Sequence, residues 1–345
     1  MIIPEINVWP LIHWIQKEKN FNSEALPLPP PPQDHVIAVC HEIGRALENV
    51  GFFNAVGTGL TKSEMAQLQD ASETFFALSL EEKNQISASK SPCFRGYSVV
   101  GSEVTNGVKD HKEGIDLGTE ISPPFPFCSS NGTHDDDGKW TVVGRNQWPS
   151  RPEDLRSCAE RYMKRCTVLG DAVLRAIAIY LELDHDYFSS RWLDEPCHLM
   201  RILRYPPSSN DSVVQGIGEH TDFGALAILF QTQEGLEART VDNEWVAVPV
   251  VDNALVVNIG DCLEAWTSGR IRATPHRVLR SPNAPERFSF PFFFEPSFEA
   301  YIEPIKKIKP RPGYTFAEGM KQFRYGDHIV KAFQRSYPYH ENNKS

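Results

Sequence analysis

Apolar positions recur at helical spacing through the first half of the chain and in short, regularly punctuated runs through the second. Val36, Cys40, Ile43 and Leu47 predict an amphipathic helix, and Gly51-Phe52-Phe53 reads as a helix stop running into a strand. Thr61 to Glu64 has the form of a capping box, and Met65, Leu68, Phe75 and Leu78 continue the apolar stripe behind it. Ser79 to Glu82 repeats the cap. Residues 91 to 150 are rich in Gly, Pro, Ser and Asp and keep no period, so irregular loops with a few strands are expected. Pro152-Glu153-Asp154 opens the longest pattern, in which Leu155, Cys158, Tyr162, Cys166, Leu169, Val173, Ile177 and Leu181 form one stripe. That helix is expected to back a sheet.

From Met200 the texture changes to runs of Val, Ile, Leu and Phe separated by turn residues. They are Met200–Tyr205, Ala225–Gln231, Trp245–Val250, Ala254–Ile259, Ala273–Leu279 and Arg287–Phe294. Short strands without intervening helices predict an antiparallel sandwich or barrel, and the tail after Thr315 returns to helix. An α-rich region over residues 1–190 thus wraps a β-rich region over 191–345, with no linker between them, so one structural unit is expected. Residues 26–32 (LPLPPPP) read as a stiff extended connector.

Composition narrows the function classes. A net charge of -10 over 345 residues argues against nucleic acid as a partner, since such proteins need a positive footprint. The seven cysteines are odd in number and lack CxxC pairing, which suits reduced thiols. No signal peptide or membrane-spanning run is apparent. A cytoplasmic monomer or weak homodimer acting on small molecules is the expectation.

Most of the eleven histidines carry no signal singly. His134, beside Asp135-Asp136-Asp137, reads as a solvated acidic loop. His220-Thr221-Asp222 differs, because it sits at the start of a strand-like run, and residues two apart on a strand project from one face. A third ligand from another strand, His276, would complete two imidazoles and one carboxylate on one face of an octahedron. That set leaves three coordination positions open, as iron(II) oxygenases require, whereas zinc prefers four-coordination and lacks redox chemistry. Arg287-Phe288-Ser289 then places a guanidinium and a hydroxyl on one strand face, a pairing suited to a carboxylate.

With these residues the chain resembles the iron(II)/2-oxoglutarate oxygenases of the isopenicillin N synthase-like superfamily. The resemblance extends to Gly218–Asp222, to Ala225–Gln231, to Val256-Val257-Asn258-Ile259-Gly260-Asp261, and to the early helices, which are similar to the family's N-terminal region. It implies a double-stranded β-helix (jelly-roll) core flanked by helices, with iron on His220, Asp222 and His276. It also implies that the far carboxylate of 2-oxoglutarate lies on Arg287 and Ser289, and that Tyr205 hydrogen-bonds the cosubstrate. Where the family often has an asparagine, this chain has Leu203. The implied activity couples decarboxylation of 2-oxoglutarate, with O2, to C–H oxidation of a small organic substrate of specialised metabolism, by hydroxylation, desaturation or cyclisation. The substrate pocket is expected at Arg95, Tyr97, Phe223 and the barrel mouth near Phe292 and Phe294. Two other readings remain: a 2-oxoglutarate-independent iron oxidase of the isopenicillin N synthase type, and a cupin-like binding protein without turnover.

Overall fold

The computed structural model describes residues 2–22, 33–120, 142–207, 213–317 and 319–336. The proline-rich connector and the acidic loop at His134 lie outside the described residues. Sixteen strands among the described residues form two principal sheets and two short ribbons. The larger sheet has the order β1 (Glu5–Asn7), β2 (Phe52–Val56), β12 (Leu255–Ile259), β9 (Leu226–Gln231), β14 (Arg287–Phe294), β7 (Leu199–Tyr205), β6 (Glu113–Gly118) and β3 (Gly96–Ser98). The smaller has the order β11 (Trp245–Ala247), β10 (Leu236–Arg239), β13 (His276–Arg280) and β8 (Val214–His220). Every pairing in both is antiparallel except β1 with β2. The ribbons, β4 (Val104–Thr105) with β5 (Val108–Lys109) and β15 (Tyr301–Ile302) with β16 (Phe323–Arg324), stand apart. This is a jelly-roll core.

Except for the last, which borders the cavity between the sheets through Ile329 and Phe333, the helices pack on the outer face of the larger sheet. They are α1 (Trp9–Asn22), α2 (Asp34–Asn49), α3 (Lys62–Phe76), the short α4 (Leu80–Lys83), α5 (Leu155–Tyr180), the short α6 (Ser189–Trp192), α7 (Asp261–Trp266) and α8 (Tyr325–Ser336). Both expected capping boxes form, at Thr61/Glu64 and Ser79/Glu82. The α5 stripe packs onto β14 and β9, and one hydroxyl ties the layers together. Tyr162 Oη donates to the Phe290 carbonyl at 2.7 Å and accepts from the Phe230 amide at 3.1 Å. Gly170 of α5 is where the Phe294 ring enters, since a Cβ there would collide with that ring.

Strand alternation divides the apolar residues between two cores. Phe288, Phe290, Phe292 and Phe294 join the outer core under the helices, whereas Leu203, Tyr205, Leu229, Leu236 and Val278 line the space between the sheets. The N-terminal region supplies more than the expected helical wrapping, because β1, β2, β3 and β6 are strands of the larger sheet itself. Strands β8 and β10 were not legible in the sequence pattern. In β8, Gly216 and Gly218 dilute the strand signal.

Candidate metal centre and cosubstrate pocket

Strand register assembles the candidate ligands. β13 pairs with β8 so that His276 lies opposite His220, and the two imidazole centroids are 4.3 Å apart. Asp222 arrives by a different route from the one alternation suggested. β8 ends at His220 and β9 begins at Leu226, so Asp222 sits in the connecting turn and is not on a strand with His220. Its Oδ1 lies 3.9 Å from His220 Nε2 and 3.7 Å from His276 Nε2. Among the described residues this is the one group of three His, Cys, Asp or Glu side chains able to hold a metal ion, with donor atoms within 4.8 Å of one another.

The surrounding hydrogen bonds aim these donors inwards. His220 Nδ1 pairs with the Gly218 carbonyl at 2.8 Å and His276 Nδ1 with the Thr274 carbonyl at 3.1 Å. A carbonyl can only accept, so each Nδ1 carries the proton and each Nε2 turns a lone pair to the centre. Asn258 Nδ2 donates to Asp222 Oδ2 at 2.6 Å, leaving Oδ1 for the ion. Desolvation, reinforced by the neighbouring His276, holds His220 down at about 4, so its ring is neutral and ready to ligate. Two imidazoles, one carboxylate and no thiolate suit iron(II) rather than a structural zinc.

The trio faces a cavity of about 570 Å³ between the two sheets. At the far wall lies Arg287, wholly buried, on β14. It donates from Nε to the Gln233 carbonyl at 3.0 Å and from Nη2 to Gln231 Oε1 at 2.9 Å. Its Nη1 is buried without a hydrogen-bond partner. A charged donor orphaned in a cavity wall is costly unless a ligand completes it, and a carboxylate would do so. Tyr205 lies directly across the β7–β14 pairing from Arg287, with the guanidinium 4.8 Å from its ring centre. Ser289 shares the inward face. Opposite it stands Leu203, packed with Leu229, Leu236 and Val278 in the apolar patch between the sheets.

Two expected pocket residues line the cavity, and the others do not. Arg95 and Phe223 do. Phe294 does not, because it differs in parity from Arg287 and its ring lies against Gly170 and His198 on the helix side. Phe292 follows it there. Tyr97 also falls elsewhere, bonding Glu113 through its hydroxyl and packing on Phe75. The inward positions beyond Ser289 are Pro291, Phe293 and then Glu295, just past the end of β14. Counting by two from Arg287 would have found them. Near the pocket mouth, Arg201 pairs with Glu103 and Asp116, and Lys112 with Glu103 and Asp110. These cations pull Glu103 down to about 2 against the opposing effect of its burial.

The fold and the chemistry of this candidate centre are those of a non-haem iron(II) oxygenase. The chain belongs to the iron(II)/2-oxoglutarate oxygenases: residues 196–296 match the 2OG-Fe(II) oxygenase superfamily, and residues 26–151 match the non-haem dioxygenase in morphine synthesis N-terminal family. It is 33% identical to a probable iron/ascorbate oxidoreductase of Dictyostelium discoideum, over 88% of this chain and 90% of that one. It is 32% identical to a homoarginine-6-hydroxylase of Arabidopsis thaliana, over 86% of this chain and 80% of that one. Among solved structures, a putative 2OG-Fe(II) oxygenase family protein from Caulobacter crescentus superposes with a TM-score of 0.74, at 23% identity, covering 96% of this chain and 98% of that one. A full-length Neurospora crassa protein in complex with alpha-KG and thymine gives 0.71 at 25% identity, covering 96% of each. The protein is a 2-oxoglutarate-dependent dioxygenase that uses iron(II) and acts on a small molecule.

Proposed function

We propose that His220, Asp222 and His276 are the iron ligands, that Arg287 and Ser289 hold the distal carboxylate of 2-oxoglutarate, and that Tyr205 positions it. The orphaned Nη1 of Arg287 carries this reading, because a buried guanidinium with one open donor calls for an anionic ligand. When bound there with 2-oxoglutarate and O2, iron(II) supplies the redox chemistry that links formation of succinate and CO2 to C–H oxidation. The protein's own residues do the rest. Gly218, Thr274 and Asn258 fix the three donors, Arg287 sets the direction in which the keto acid lies, and the apolar patch around Leu203 keeps water from its methylene chain.

The substrate enters from the other side, past Arg95 and Phe223, into the volume bounded by Pro291, Phe293 and Glu295. Homoarginine appears in the names of four relatives and clavatol in that of another, so the relatives point to small organic compounds of more than one chemical class. A cytoplasmic enzyme working as a monomer or weak homodimer on free metabolites of specialised metabolism is proposed; among the described residues no helix is long and apolar enough to cross a membrane. The N-terminal residues 1–190 and the core 191–345 are proposed to act as one unit.

The test is the visible charge-transfer band that 2-oxoglutarate develops with iron(II) when both are added anaerobically. It is expected in the wild type and absent in His276→Ala, which should stay folded by circular dichroism and release no succinate. A His276→Ala variant with the full band would overturn the ligand assignment.

A further inference from the structure

Apart from Asp222 at the candidate metal centre, the carboxylates that line the cavity are matched with a lysine or arginine, with one exception. Glu103, Asp110 and Asp116 each face Lys112 or Arg201. Glu295 has no such counterpart. It lines the cavity, is 2% exposed, and its Oε2 is buried without a hydrogen-bond partner. Among the described residues no lysine or arginine pairs with it, and the Tyr325 hydroxyl is the neutral polar group that approaches its carboxyl.

Its position is built in. The Glu295 amide donates to His198 Nδ1 at 3.0 Å, and that imidazole lies against Phe292 and Phe294. Space for the carboxylate is reserved at Gly224, two residues past Asp222, where a Cβ would collide with Oε2. Any other residue at 224 would evict the side chain. The carboxyl group therefore stands at the metal end of the cavity, on the inward face that also carries Arg287 and Ser289. The rings of Phe223 and Phe293 belong to the same walls. A buried acid without a counter-charge, flanked by aromatic walls, suits a cation supplied by the ligand.

We propose that Glu295 receives the cationic side-chain nitrogen of the substrate, a guanidinium or its amine counterpart, which makes the substrate class a basic amine or basic amino acid and sets the carbons beside that nitrogen next to the metal centre. This rests on the reading of the cavity as the substrate site of an iron(II)/2-oxoglutarate oxygenase. Glu295 acts here in specificity.

Full-length wild-type protein with iron(II) and saturating 2-oxoglutarate is titrated anaerobically, by calorimetry, with agmatine, L-arginine and L-homoarginine. L-citrulline and L-homocitrulline, whose ureido side chains are uncharged isosteres of the guanidinium, serve as partners for the last two. At least one cation of an isosteric pair is expected to bind, with its neutral partner weaker by roughly thirtyfold or more, as for loss of a buried charge pair. Glu295→Gln, which keeps the shape and removes the charge, is expected to bring the pair within about threefold. Equal binding of a pair by the wild type, binding of none of the cations, or a preference that survives Glu295→Gln overturns the proposal. The wild-type comparison does not depend on how the variant folds. Absence of the charge-transfer band from the wild type before any titrant is added would instead overturn the iron and 2-oxoglutarate reading of the site, so the two failures are distinct.

Discussion

Arg287 and Leu203 occupy the same wall of the cavity and pose opposite problems of polarity. Arg287 has two of its donor nitrogens satisfied by the protein and a third left open, so removing it deletes the counter-charge of a buried ligand. Arg287→Ala is expected to weaken 2-oxoglutarate by about 2 to 5 kcal/mol, tens-fold or more, read from the anaerobic titration of the charge-transfer band. A variant that titrates like the wild type would return Arg287 to a purely structural role. Leu203 stands where the family often places an amide, and its surroundings explain the change. It is 2% exposed among Leu229, Leu236 and Val278, and Gly114 lies so close that a Cβ there would meet Leu203 Cδ2 at 2.6 Å. Leu203→Asn would place an amide in this apolar patch, so a loss of about 1 to 3 kcal/mol in stability is expected with no gain in 2-oxoglutarate affinity. A lower Kd for the cosubstrate in that variant would show that the chelating carboxylate lacks a donor in the wild type. The candidate ligands and the candidate clamp could be named from the sequence because residue type and spacing carry their chemistry. Glu295 was not, since a lone glutamate announces nothing until a strand register aims it.

Strand β14 shows how one element serves two layers and how its parity misleads. Its odd positions, Arg287, Ser289, Pro291 and Phe293, face the cavity, while Phe288, Phe290, Phe292 and Phe294 fill the core beneath α5. The run of phenylalanines hides the alternation in the sequence, because hydrophobicity alone cannot separate a pocket wall from a core face in a strand buried on both sides. Hence Phe294 was expected in the pocket and stands instead against Gly170. Turn chemistry obscured the metal strand in the complementary way. Asp222 reads as a strand neighbour of His220 by spacing, yet it reaches the centre from the turn after β8. The two phenylalanines give a paired test at this scale. Phe294→Ala should cost about 3 to 5 kcal/mol in thermal or denaturant unfolding while leaving 2-oxoglutarate affinity near wild type. Phe293→Ala, on the cavity face, should change substrate affinity with a smaller stability loss. Reversal of that pattern would mean the strand is set one residue out of register.

At the scale of the molecule, the helical region and the jelly roll cannot be separated along the chain without cutting a sheet. The sequence suggested helices wrapped around strands, since the long apolar stripe of α5 and the strand runs after Met200 are both strong periodic signals. A strand after Gly51 and a few strands within 91–150 were legible, but not β1, nor that β1, β2, β3 and β6 all join the larger sheet, because short strands among glycines and loops leave little period to detect. Those four strands matter to the chemistry. β2 covers one side of β12, whose Asn258 orients Asp222, and its Phe52 meets His276 edge-on at 5.6 Å between ring centres. β6 covers the free side of β7, which carries Tyr205 and Leu203. A fragment of residues 191–345 would leave β12 and β7 as bare edges and would expose the Phe288 to Phe294 face that α5 buries. Exposed edges and apolar faces pair with other chains. The fragment is therefore expected to aggregate, or to stay without a cooperative thermal transition, and to show no charge-transfer band with iron(II) and 2-oxoglutarate. Co-expression with residues 1–190 should restore both if the two pieces find each other during folding. A monomeric 191–345 fragment that melts cooperatively and binds 2-oxoglutarate would show that the jelly roll is autonomous and that the N-terminal strands only extend it.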